Sequence, residues 1–209
     1  ISSERAMTCV DTLWKLSNHC RDIVDINEFL LNETHAQLQL AMFGFSKKFE
    51  EDNNKKIRDM FSKYDFNQGK VTVKNLMDEI YQSKGPISEI INERKENKNR
   101  REEVGNGLIF SYAGHDTTGN TLTFLIYELC KNQKYQKILQ LEIDKFWLVQ
   151  DEKQITYKDL KRLPFMTRCI METLRLWPAL ANGTFRELEE DDYVTGRNNE
   201  NVEILKGTY

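Results

Sequence analysis

The stretch Tyr112-Ala113-Gly114-His115-Asp116-Thr117-Thr118-Gly119-Asn120-Thr121 sets a carboxylate, an imidazole, three threonines and two glycines inside an otherwise apolar segment. Each helix-interior glycine costs about 1 kcal/mol relative to alanine, and Asp, Asn and Thr are also poor helix formers. Two readings follow. In one, the stretch is a loop, with Asp116 or Thr117 capping a second helix. In the other, a helix runs through and is locally distorted where threonine hydroxyls bond back to carbonyls, opening a groove beside a ligand. Ala113 and Gly114 would then let a flat cofactor approach the backbone closely.

A second pair of chemically able residues is Glu172 and Arg175, one helical turn apart in Glu-Thr-Leu-Arg. Such i,i+3 pairs are ordinarily surface pairs worth a few tenths of a kcal/mol, roughly 0.2–0.5. Here Leu163, Met166, Ile170, Leu174 and Trp177 line one face of the helix, and Phe165, Cys169 and Leu176 fall beside Glu172 on the other. That pattern predicts a buried helix and a desolvated ion pair that needs further hydrogen-bond partners. Its role is structural, not catalytic.

Other chemistries are excluded by spacing. His19, His35 and His115 form no HExxH or Cys/His cluster, which argues against a protein-only metal site. Asp65, Asn67 and Gly69 resemble the start of a calcium loop. The glycine is one position early, however, and Leu76 stands where a chelating acid is needed. No P-loop is present, and Gly105-Asn106-Gly107 lacks the third glycine of a dinucleotide fingerprint. A net charge of -3, with acids and bases interleaved, gives no nucleic-acid surface. Cys9, Cys20, Cys130 and Cys169 are unpaired by spacing, as in a reducing compartment. No apolar run reaches membrane-spanning length. Ile1 is not a start residue, so the chain is expected to be an excerpt, with any signal or membrane anchor upstream.

The elements that must position these residues are mostly helical. At 39% hydrophobic, 209 residues can bury a real core. Apolar residues recur at three- and four-residue intervals in ERAMTCVDTLWKLSNH and in DINEFLLNETHAQLQLAMFGF, with Gly44 ending the second helix. The polar stretch from Ser46 to Lys70 reads as a connection followed by a short helix. Further helices are expected through VKNLMDEIYQ and from Pro86 into the charged ERKENKNRREE, a solvated face or frayed loop. From Val104, LIF and LTFLIYELC are apolar around most of the helix, the mark of burial on nearly all sides. An amphipathic helix, YQKILQLEIDKFW, precedes a helix with Pro164 near its start and Pro178 past its end. Short strands, DYV and NVEIL, flank a Gly-Arg-Asn-Asn turn.

Taken in order, these motifs resemble the cytochrome P450 family. The family's central helix carries Ala-Gly-x-Asp/Glu-Thr-Thr/Ser, matched by Ala113 to Thr118, and its later helix carries Glu-x-x-Arg and then proline, matched by Glu172, Arg175 and Pro178. TFRELEEDDYV and Ile204-Leu205-Lys206-Gly207-Thr208 match the segments that follow. The resemblance is strong over 104–209 and weak over 1–103, so 1–209 is expected to be one partial P450 domain. The implied fold is mainly α with a small antiparallel β region near the C-terminus.

The resemblance implies a haem-thiolate monooxygenase that inserts one atom of dioxygen into a small hydrophobic substrate. Electrons would come from an NAD(P)H-linked reductase or a ferredoxin. Asp116 and Thr117 match the acid-alcohol pair that delivers protons to dioxygen. Ala113 and Gly114 would abut haem b, and Arg186 would pair with a propionate. Phe110, Leu180 and Ala181 would line the substrate pocket. The family's glycine-rich loop with its axial cysteine has no match among the four cysteines, and Trp14 is followed four residues later by Asn18 instead of the family's arginine. The chain as given is therefore expected to be inactive alone. Two alternatives are a haem-free P450-derived scaffold module and a P450-like isomerase or lyase.

Overall fold

The structure, a computed structural model, describes residues 2–63, 69–93, 100–149, 155–183 and 186–208. Asp65 and Asn67 of the rejected calcium loop, part of the charged run after Glu93, and Thr184 and Phe185 lie outside the described residues. The chain divides into two compact units, residues 1–179 and 180–209.

The first unit is helical. Helix α1 spans Ser2–Leu16 and α2 spans Ile26–Leu38. The α2 start is set by Asp25, whose side chain accepts the Glu28 backbone N–H at 3.0 Å, a standard N-cap. A single π-helical turn, Gln39–Phe43, extends α2 and stops at Gly44, whose φ of 72° is a conformation that favours glycine. Helix α3 follows at once, Lys47–Ser62, capped by the Ser46 hydroxyl on the Phe49 N–H. Then come α4 (Lys70–Gln82), α5 (Pro86–Glu93), α6 (Arg100–Lys131), α7 (Gln133–Leu148) and α8 (Pro164–Leu176).

The expected connection with a short helix after Gly44 is corrected: α3 is a full helix from Lys47 onwards. Its inward stripe is Glu50, Asn54, Ile57, Arg58 and Phe61, which is helical in period but polar at three of its members. Hydrophobicity alone therefore marks only part of it.

The core of this unit is built by α3, α4, α5 and the π-helical turn. Phe43, Ile57, Leu76 and Ile80 are fully buried, and Ile91 nearly so. Each such side chain is worth about 1.5–3 kcal/mol when removed from water. Leu76, where a calcium loop would need its final acid, is part of that core. Helix α6 passes along α2 over much of its length, and α8 packs on α6 and α7.

The second unit contains the two short strands, β1 (Asp192–Thr195) and β2 (Asn201–Ile204). They pair antiparallel, with Asp192 opposite Ile204 and Thr195 opposite Asn201. The turn between them closes with the Gly196 N–H donating to the Glu200 carbonyl at 2.8 Å and Asn199 at φ 60°. The expected mainly helical chain with a small antiparallel region near its end is what forms.

Candidate functional site

The polar stretch of residues 112–121 lies inside one unbroken helix, so the loop reading is set aside. Intrinsic propensity is overridden in two ways. First, the polar side chains satisfy themselves on the helix. Thr117 Oγ1 donates to the Ala113 carbonyl at 2.9 Å, Thr121 Oγ1 to Thr117 at 2.8 Å and Thr123 Oγ1 to Gly119 at 2.9 Å. Second, α2 packs on the same stretch, and tertiary burial outweighs propensities of about 1 kcal/mol or less per residue. The expected distortion is absent: the segment is α-helical from Arg100 to Lys131. The back-bonds decorate the helix without opening it.

Helix α6 presents two chemically different faces. Ser111, His115 and Gly119, spaced by four, are buried against α2. Asn27 of α2 extends this seam, its Nδ2 donating to Asn120 Oδ1 and Thr123 Oγ1, both at 3.1 Å. Phe110, Ala113 and Thr117 fall on the other side; Phe110 is 41% exposed, Ala113 is exposed and Thr117 is half-buried. The expectation that α6 is buried on nearly all sides is therefore corrected. Ile109, Tyr127 and Phe110 are open because α2 covers only one flank.

The two glycines of the motif serve that packing. A Cβ on Gly114 would stand 2.7 Å from Leu38 Cδ1, and one on Gly119 would stand 2.7 Å from Leu31 Cδ2 and 3.1 Å from Leu31 Cα. Gly114 was expected to make room for a cofactor; the room beside it is taken by Leu38. Ala113, by contrast, is a small residue on the open face.

Asp116 faces a polar cavity of about 180 Å³ between α2, α3 and α6. Glu28, Arg58, Asp59, Ser62, Tyr112 and His115 line it with Asp116. Asn120 Nδ2 donates to the Asp116 carbonyl at 2.9 Å and to its Oδ1 at 3.3 Å. Arg58, 9% exposed, pairs with Glu28 across the cavity, and its buried Nε has no partner among the described residues. Asp116 and Thr117 thus lie on neighbouring faces, the acid toward the cavity and the alcohol toward the open side.

Beside Asp116 lies a cluster that spacing could not reveal. His35 of α2 and His115 of α6 stack with ring centroids 4.4 Å apart. His35 Nδ1 is 2.6 Å from Asn54 Oδ1, and its Nε2 is 3.1 Å from Ser111 Oγ and 3.3 Å from Gln39 Nε2. His115 Nδ1 donates to the Ser111 carbonyl at 2.7 Å, and Thr34 Oγ1 donates to the His115 carbonyl at 3.1 Å. Burial depresses the His35 pKa to about 3, aided by His115 and Arg58 and opposed by the Asn54 bond. Burial also lowers that of His115, against the Ser111 carbonyl and the Asp116 charge. Both rings are neutral near pH 7.

Glu172 and Arg175 form the expected pair, with Arg175 Nε and Nη2 each 2.7 Å from a Glu172 oxygen. The expected burial is corrected: the side chains are 56% and 66% exposed, because α8 is covered by α6 and α7 on the Thr173 side and open on the Glu172 side. The pair is a solvated bidentate clasp, without further partners among the described residues.

An acid that the sequence did not advertise, Glu142 of α7, caps α8 instead. Its carboxylate accepts the Phe165 and Met166 N–H groups, both at 2.8 Å. At the other end of α8, Trp177 stacks on Phe124 at 4.6 Å and donates to Glu128. A groove of about 400 Å³ lies between α6, α7 and α8, lined by Leu125, Tyr135 and Cys169 among others, well past Thr117 along α6.

Leu180, Ala181 and Arg186 belong to the second unit, where all three are exposed. Cys9 and Cys169 sit in α1 and α8, Cys130 in the last turn of α6 and Cys20 in a turn; all four are free. Among the described residues, no group of three or more His, Cys, Asp or Glu could hold a metal ion, and no helix is long and apolar enough to cross a membrane.

Comparison with known proteins bears on the same residues. The Cytochrome P450 family model matches residues 3–208. Cytochrome P450 4F3 of Homo sapiens is 41% identical over 69 residues, and Cytochrome P450 4F12 of Homo sapiens 39% over 69 residues. Leukotriene-B4 omega-hydroxylase 3 of Mus musculus is 38% identical over 69 residues. These matches cover 33% of this chain and 13% of each relative. With the family model matching residues 3–208 of its 209 residues, the chain belongs to the cytochrome P450 family.

Proposed function

We propose that this chain forms the oxygen side of a haem-thiolate monooxygenase, with Asp116 and Thr117 as its proton-handling pair. The observation that carries this reading is the division of α6. The Phe110, Ala113 and Thr117 face is open, while the opposite face is fixed to α2. A planar group needs such a face, with a small residue and a hydroxyl on it and no side chain in the way. Haem fits the Ala113 face and does not fit the Gly114 flank, where Leu38 stands.

When bound, haem would supply the iron chemistry that activates dioxygen. The chain's own residues would manage protons and water. Thr117 Oγ1 donates to the Ala113 carbonyl at rest, so rotation about χ1 is needed to release it toward the open face. Asp116 exchanges protons with water through the adjoining cavity, and Asn120 Nδ2 keeps its carboxylate in place. Arg186 is assigned to a propionate, for which a guanidinium is well suited. Phe110, Leu180 and Ala181 are assigned to substrate. The thiolate is assigned outside these residues, since none of the four cysteines stands in a glycine-rich loop. The domain assignment, one partial P450 domain over 1–209, goes with this reading.

For substrate, the name of the omega-hydroxylase relative supports a lipid oxidised at its terminal carbon. A reductase or ferredoxin donor is proposed on family grounds alone. The test is expression of the full-length protein with haem, followed by a carbon monoxide difference spectrum and donor-dependent turnover on a lipid panel. A thiolate-type spectrum with donor-dependent hydroxylation supports the reading. Failure to bind haem would favour a scaffold module, and turnover without donor would favour an isomerase or lyase.

A further inference from the structure

The buried polar cluster beneath the Asp116-Thr117 turn has no part in the reading above. Its members come from three helices: Asn54 of α3, His35 of α2, and Ser111 and His115 of α6. Exposure is 3% at Asn54, 4% at His115 and zero at His35 and Ser111. An apolar core would fill this space at less desolvation cost, so the polar atoms must be matched to one geometry to be tolerated.

The hydrogen bonds have a fixed direction. Asn54 Nδ2 donates to the Asn32 carbonyl and to Glu50 Oε1, both at 3.2 Å, which orients the amide. Its Oδ1 then faces His35, and an amide oxygen only accepts, so the His35 proton sits on Nδ1. His35 Nε2 is left as an acceptor, and the Ser111 hydroxyl donates to it. The chain of bonds continues up α6: the Ser111 carbonyl takes the His115 Nδ1 proton, and the His115 carbonyl takes the Thr34 hydroxyl proton. Every bond from this cluster to α6 falls on the turn that immediately precedes Asp116 and Thr117.

We propose that His35, oriented by Asn54, is a positioning residue that fixes the rotation of α6 at Ser111–His115 and thereby aims the Asp116 carboxylate and the Thr117 hydroxyl. This rests on the monooxygenase reading for its catalytic consequence but not for its geometry. His35 touches neither substrate nor haem in this assignment; it acts through Ser111 and His115.

The experiment uses full-length, haem-loaded protein with His35→Phe, His35→Gln and Ser111→Ala. Phe preserves a ring beside His115 and removes the hydrogen bonds to Asn54, Ser111 and Gln39. Gln restores an acceptor for Ser111. Two readouts are taken on the folded fraction: amide hydrogen exchange over residues 111–118, and the ratio of hydrogen peroxide released to product formed. We expect His35→Phe to raise both several-fold, His35→Gln to recover most of the wild-type values, and Ser111→Ala to follow His35→Phe. Unchanged exchange and peroxide ratio in folded His35→Phe would overturn the proposal, as would a Gln variant no better than Phe. Where His35→Phe does not fold, Ser111→Ala decides alone. If the wild type shows no thiolate haem spectrum, the monooxygenase reading fails, and the exchange readout still decides whether His35 fixes the helix.

Discussion

The imidazole rings of His35 and His115 stack at 4.4 Å inside the first unit, both held neutral by burial. Stability must therefore depend on pH. In the unfolded chain His35 takes up a proton near pH 6.5, whereas in the folded chain it does so only near about 3. The stabilisation is fully present above pH 6.5 and is lost as pH falls from there toward 3, at up to about 1.4 kcal/mol per pH unit for each proton taken up by the unfolded state alone. The charged and titratable groups around the ring are His115 and Asp116 of α6 and Arg58 and Glu50 of α3. Urea unfolding between pH 7 and 5 should show stability decreasing with acidity, with a shallower slope in His35→Phe. Equal slopes in the two proteins would contradict the burial argument.

Glycines on α6 should respond to alanine in opposite directions. A Cβ on Gly119 meets the Leu31 backbone and side chain and the Thr34 hydroxyl, so Gly119→Ala should destabilise by about 1–3 kcal/mol. Gly105 has nothing within 4 Å of its would-be Cβ, and Gly105→Ala should stabilise by about 0.5–1 kcal/mol. Urea midpoints measured side by side test both signs.

Thr117→Ala should separate the open face from the packed one. Among the described residues its hydroxyl bonds only to the Ala113 carbonyl of its own helix, so the melting temperature should hardly move. On the proposed monooxygenase function, the peroxide-to-product ratio of the full-length protein should rise in this variant. An unchanged ratio would remove Thr117 from the proposed proton pathway.

Two acids near α8 should rank opposite to their prominence in the sequence. Glu142→Gln weakens a carboxylate that accepts two backbone N–H groups at the helix start, and should cost about 0.5–2 kcal/mol. Glu172→Gln breaks a solvent-exposed clasp with Arg175 and should shift the unfolding midpoint of this chain less than Glu142→Gln does. A larger loss from Glu172→Gln would show that the pair is shielded in solution.

What could be read in advance follows from the range of the interactions. The stop at Gly44, Pro164 opening α8 and the β1–β2 turn are set by neighbours in sequence, and each is expected from the sequence; the Asp25 cap of α2 is equally local. Helix α3 is longer than the short helix expected there because Glu50 and Asn54 occupy inward positions where a helical period leads one to expect apolar residues. The His35–His115 contact joins residues far apart in the chain, so no local spacing announces it. Glu172 and Arg175 were recognised by spacing, but their exposure depends on which surfaces α6 and α7 leave uncovered, which a helical wheel does not contain. A missing side chain does not say which side needs the space: the Cβ direction of Gly114 faces Leu38, far from it in the chain.

The seam between α2 and α6 has a mechanical consequence. Ser111, His115, Gly119, Asn120 and Thr123 engage α2 in order along the axis, two through a glycine-width approach or a ring stack and the others through directed bonds. Turning α6 by one residue about its own axis would drive side chains into Leu31 and Leu38 and strand the buried polar atoms together. Sliding it by less than a full turn would break the same set. The seam keys α6 to α2, and the rearrangements that would leave these contacts intact are side-chain rotamers such as that of Thr117 and bending beyond the seam.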